Sequence, residues 1–165
     1  MNGIASTGTR AARRGVRWRA ALALPAFVAA CGASDPDPRD VAFRTLDQSL
    51  SSGVQARRQV VVNTPQEWQA LWSQHAGTTP TSAAPPAVDF SSSQVVAVFM
   101  GTHPSACQRV TIRQVVDAPP VREVRFSERV PGPTELCAAI VVTPAHLAEV
   151  PRTSLPVVFV QVAGD

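Results

Sequence analysis

Gln94–Cys107 reads QVVAVFMGTHPSAC, and the rest of the chain is organised around it. It opens on an unbroken apolar run, Val95–Met100, stops on Gly101, passes through a polar loop with Pro104 and reaches a cysteine. A short apolar run bounded by turn residues predicts a strand buried on both faces. Val95, Val96, Val98 and Phe99 are β-branched or aromatic, which favours a strand over a buried helix. The loop Thr102–Ala106 is then displayed at a strand end, where a scaffold usually holds its contact residues. Thr102, His103, Pro104 and Ser105 are therefore the candidate partner-binding residues.

Upstream, Val41–Gln48 and Arg58–Asn63 are strand candidates joined across the turn-forming Ser51-Ser52-Gly53. Thr64-Pro65-Gln66-Glu67 then gives a helix start: Thr at the N-cap, Pro at the first position and Glu at the third, a capping box. Trp68, Leu71, Trp72 and His75 follow at helical spacing on one face, to be packed against a sheet, and Gly77 ends the helix. Thr78–Ala87 is a Pro/Ser/Thr loop without periodicity. Downstream, Arg109–Arg113 alternates as a half-buried strand, Ala118-Pro119-Pro120 breaks it, and Arg122–Phe126 continues as a strand. After Pro131-Gly132-Pro133, Leu136–Thr143 reads as a further buried strand. Thr143-Pro144 repeats the cap-then-proline device, so Ala145–Glu149 is expected to form one helical turn. Pro156–Val162 closes the sheet. The fold class is α+β, a mostly antiparallel β-sheet with one principal α-helix packed on it.

The 165 residues suit one domain, and a 45% apolar fraction is enough for a core. The net charge of +3 misleads, because Arg10, Arg13, Arg14, Arg17 and Arg19 crowd the first 19 residues, where no acid lies. From position 31 onward, 10 arginines face 12 acidic residues, so the charge gives no reason to expect nucleic acid. The arginines precede Ala20–Ala30, an apolar run too short to span a bilayer as a helix. Basic residues, a short apolar run and small residues before a cut describe a secretory signal over 1–30. Val28-Ala29-Ala30-Cys31 also resembles the lipobox of bacterial lipoproteins, which implies lipidation of Cys31. Gly32 follows in place of aspartate, which by the same resemblance favours the outer membrane or its periplasmic face. Residues 31–40 read as a flexible tether and 41–165 as the domain. Arg13-Arg14 also offers a twin-arginine signal, which the residues after it fit poorly.

With Cys31 committed to lipid, Cys107 and Cys137 remain as an even pair in an oxidising compartment, which predicts a disulfide. Such a bond would close about 31 residues and contribute roughly 3–4 kcal/mol. The competing reading is a metal held by His103, Cys107, Cys137 and His146. Its second pair is spaced unlike usual zinc ligands, so we assign no metal and no cofactor. There is no Gly-x-Ser-x-Gly, no His-Glu-x-x-His and no glycine-rich phosphate loop, so no catalytic residue is assigned and an enzyme is not expected.

FRTLDQSLSSG, PQEWQALWSQHAG, VDFSSSQVVAVFMGTHPS and TPAHLAEVP together resemble the C-terminal domain of PrcB-type proteins over Val41–Val162. The resemblance implies a lipoprotein subunit that assembles or stabilises a secreted protease complex without catalysing. The expected partner is a secreted serine protease or another envelope protein, with the membrane met only through the lipid anchor. That family usually has Pro-Thr-Gly-Gly-Tyr after the central strand, where this chain has Pro104-Ser105-Ala106-Cys107, and it has no tyrosine anywhere. An inhibitor that inserts the 102–106 loop into a protease is the alternative.

Cys31→Ser tests the anchor. A lipoprotein cysteine carries more than one acyl chain, enough for stable attachment. The variant should leave the membrane fraction and appear in the soluble one; an unchanged membrane fraction would remove the lipoprotein reading.

Overall fold

The apolar run does form a strand, and that strand lies inside a sheet that is covered on both faces. The computed structural model describes residues 37–77 and 84–164. The signal-like stretch, Cys31 and the start of the tether lie outside the described residues. Two four-stranded sheets are present. One contains β2 (Arg44–Ser49), β3 (Arg58–Val62), β4 (Ser93–Phe99) and β7 (Ala145–Pro151), in the order β2-β7-β4-β3 and antiparallel throughout. The other contains β1 (Arg39–Asp40), β5 (Arg109–Ala118), β6 (Val121–Arg129) and β8 (Val157–Gln161), in the order β1-β5-β6-β8. Only its β6–β8 pair is parallel. The helix is α1 (Pro65–Ala76). Strands dominate and one helix packs on them, so the fold is α+β as the periodicities indicate.

Period-two alternation sends successive β4 side chains to opposite faces. Val96, Val98 and Met100 enter a core shared with Val110, Ile112, Val115, Val124 and Phe126 of the second sheet. Val95, Ala97 and Phe99 enter another, shared with Trp68 and Leu71 of α1. From Val95 to Met100 every residue is apolar because neither face meets water.

The helix is built as its capping box indicates. Thr64 Oγ1 accepts the Glu67 amide at 3.2 Å, and Glu67 Oε2 accepts the Asn63 and Thr64 amides at 2.9 and 3.2 Å. The Asn63 and Thr64 bonds hold the Glu67 carboxyl below its ordinary range. Gly77, with φ +75°, ends the helix in a conformation that favours glycine. Trp68 and Leu71 are buried, and the Trp68 indole donates to Pro86 O at 2.9 Å. Trp72, expected to be buried with them, is only half-buried and leans on Trp68 and His75.

Three expectations need correction. Ala145–Glu149 forms no helical turn; it begins β7, the strand that pairs β4 on its second edge. Thr-Pro can start a helix, but these residues lack a 3.6-residue apolar stripe, and the free backbone edge of β4 supplies a full ladder. Leu136–Thr143 is not a buried strand. Both edges of β4 are already taken by β3 and β7, and the run crosses the surface as irregular chain, with only isolated bridges from Val142 to His103 and from Thr143 to Ser51. Arg39–Asp40, expected to be tether, instead pair with Asp117 and Val116 as β1.

The two tryptophans can be ranked by unfolding. Trp68→Ala should cost about 3–5 kcal/mol, and Trp72→Ala about 1–2 kcal/mol. Equal losses in urea titrations would refute this division of the helix face.

Candidate functional site

After β4 the chain turns on Gly101, whose φ is +86°. A Cβ there would lie 3.0 Å from Arg57 N and 3.2 Å from Gln55 O, so glycine is required twice over. The next residues are tied down rather than free. Thr102 donates its amide and hydroxyl to Gln55 O at 3.1 and 3.3 Å. His103 exchanges both backbone hydrogen bonds with Val142 at 2.8 Å, and its ring Nε2 donates to Met100 O at 3.2 Å. Ser105 Oγ accepts the Cys107 amide at 3.3 Å. Thr102 and Pro104 are exposed, while His103 and Ser105 are half-buried.

Against this loop lies an arm, Val130–Val142, that leaves the end of β6. Cys107 and Cys137 are disulfide-bonded, with Cα atoms 5.7 Å apart. The pairing inferred from the cysteine count is therefore the one present. Ala106 donates its amide to Ala138 O at 3.0 Å. Arg129 donates to Cys107 O at 2.6 Å and forms an ion pair with Glu135. The Arg129 hydrogen bond keeps the Glu135 carboxyl below its ordinary range. Ala106, Cys107, Arg109, Arg129 and Glu135 line a shallow cleft of about 390 Å³ at this junction.

The arm is held, and Val142 at its end is buried, yet four of its large apolar side chains are not covered. Leu136 is 100% exposed, Val141 75%, Val130 65% and Ile140 54%. These residues, not Thr102–Ser105, are the feature sequence reading missed. The available signal was the pair of breakers on either side, Pro131-Gly132-Pro133 and Thr143-Pro144, which deny a strand its end bonds.

The proposed metal set does not converge. Both sulfurs are spent on each other, and a disulfide offers no thiolate to a cation. Glu135 lies with them inside 4.8 Å but cannot replace those ligands. His146 is buried on β7, where Nδ1 accepts the Ile112 amide at 2.8 Å and Nε2–H donates to Thr45 Oγ1 at 2.9 Å. It joins β5 and β2 where each shifts register, after Ile112 and after Thr45. Burial pushes its pKa down to about 4, so the ring is neutral at ordinary pH.

An Asp–His–Ser array also occurs, unforeseen because Ser52 and His75 are far apart in sequence. His75 Nε2–H donates to Asp47 at 2.8 Å, and the Ser52 hydroxyl faces His75 Nδ1 at 2.9 Å. Ser52 Oγ also accepts the Val54 amide at 3.0 Å, and the Ser52 amide is bonded to Thr143 O at 3.0 Å. Gly53 N donates to His75 O at 2.8 Å, and a Cβ on Gly53 would lie 2.2 Å from Gln74 O. The array thus fastens the helix C-terminus to the β2–β3 connection, and its hydroxyl is enclosed.

No protein-family model, no curated protein and no solved structure matches the chain.

The His146 environment makes stability pH-dependent. The unfolded ring takes up its proton near pH 6.5 and the folded ring only near 4. Its contribution is therefore full above about pH 6.5 and is lost as pH falls through that window. Between pH 7.5 and 4.5 the loss should be about 2–3 kcal/mol. His146→Gln should remove this part of the slope in urea titrations; an unchanged slope would refute the assignment.

Proposed function

We propose that this chain is a non-enzymatic protein-interaction module, anchored in the cell envelope by lipid on Cys31, that binds its partner through the arm Val130–Val142. The observation that carries the reading is the exposure of Leu136, Ile140 and Val141 on a backbone held by the Cys107–Cys137 bond. Exposed apolar clusters mark interaction sites. Burying a large aliphatic side chain against a partner is worth about 1.5–3 kcal/mol. A loop already fixed in shape loses less entropy on binding. The PrcB-type resemblance supplies the partner class: a secreted serine protease, which the chain would assist as an accessory subunit.

The enclosed Ser52 hydroxyl and the paired cysteine sulfurs support a role without catalysis. Among the described residues no helix is long and apolar enough to cross a membrane. The inhibitor reading keeps one supporting observation, the exposed Thr102 and Pro104 at the tip of the loop.

The test uses the full chain and a secreted serine protease isolated from the same envelope. Leu136→Asp with Val141→Asp should leave the melting temperature nearly unchanged and weaken co-isolation of active protease at least tenfold, about 1.4 kcal/mol. Alanine at Thr102, His103 and Ser105 should weaken it less. Full binding by the arm variant would sink the proposal, and protease activity that falls on titration would favour the inhibitor.

A further inference from the structure

Four strands form the outer edges of the two sheets, and three of them are protected against pairing with another chain. β1 is two residues long and fully charged, Arg39–Asp40. β2 carries Arg44 and Asp47 and shifts register between Thr45 and Asp47. β3 opens on Arg58, and α1 runs beside it across a cleft lined by Val60, Glu67 and Leu71. Short length, charge, irregular register and cover are the usual protections of an edge.

β8 has none of them. Val157–Gln161 reads VVFVQ, without charge or proline, and pairs with β6 in unbroken register. The Arg122 amide donates to Pro156 O and the Val162 amide to Phe126 O, so the even-numbered backbone groups face β6. The backbone groups of Val157, Phe159 and Gln161 point the other way and have no partner among the described residues. Val157 and Phe159 pack into the core, which leaves Val158, 37% exposed, and Val160 on the outer face.

We propose that β8 pairs antiparallel with β8 of a second copy, about a two-fold axis at Phe159. Outward-facing amides and carbonyls in an extended row are a template for an extended backbone. The case for a second copy is self-complementarity, which a two-fold interface demands. Val158-Phe159-Val160 reads the same in both directions, and no charge in the strand opposes its like. Each free backbone group then finds its counterpart: Val157 opposite Gln161, Phe159 opposite itself. Val158 comes opposite Val160 on the outer face, in the closely spaced type of antiparallel pair. Glu123 and Arg125 are the β6 neighbours of Val158 and Val160, so each such row ends in opposite charges. The sheet β1-β5-β6-β8 becomes continuous across the axis.

The experiment uses the full chain in detergent. Sedimentation should show a dimer, and Val158→Lys should weaken dimerisation at least about tenfold without lowering the melting temperature. Val158→Cys with Val160→Cys should give a covalent dimer under mild oxidation, because the Cα atoms of such a pair lie about 4.5 Å apart, within disulfide reach. Val158→Cys alone should not, since it faces Val160. A chain that stays monomeric at high concentration, a dimer that Val158→Lys leaves intact, or equal cross-linking of single and double variants would overturn the proposal.

Discussion

A strand with apolar side chains on both faces has to be covered twice, and β4 imposes that on the whole molecule. One face takes the second sheet and the other takes α1. Both its edges are hydrogen-bonded as well, to β3 and β7. The polar groups trapped in these layers are then constrained, because a buried polar group without a partner costs about 1–3 kcal/mol. His146 satisfies the Ile112 amide across the sandwich. Arg122, 3% exposed, forks onto Asp117 and also reaches the Pro151 carbonyl at the end of β7, joining the second sheet to the first. His75 does the same for the helix and the β2–β3 connection. His146, Arg122 and His75 thus act as ties between layers.

Local chemistry was legible in the sequence. The capping box needs only Thr64 and Glu67, and the disulfide needed only a count of cysteines and a compartment. The central strand was readable because its neighbours on both sides are turn formers. What failed depended on partners distant in sequence. Ala145–Glu149 carries a helix-start signal that loses to the edge of β4, about fifty residues earlier. Leu136–Thr143 has the composition of a core strand, but β3 and β7 already hold both edges of the central strand. Of the candidate site, the Cys107–Cys137 pairing was legible. The exposed arm was not, because composition alone cannot distinguish an apolar run that is buried from one that is left over.

That leftover run is held in place by a single covalent tie and a few backbone bonds. The tie reaches across the β5–β6 hairpin, since residues 108–136 lie between the bonded cysteines. The exposed stretch between Val130 and Leu136 belongs to that ring, and exposed irregular segments are where proteolytic nicks concentrate. A cut there opens the ring without dividing the molecule: the N-terminal piece keeps Cys107, the C-terminal piece keeps Cys137, and the bond holds them together. The two pieces share the sheets as well, since β7 and β8 fall on one side of the cut and their partners β4 and β6 on the other. This topology makes an exposed segment of the chain one whose cleavage releases nothing.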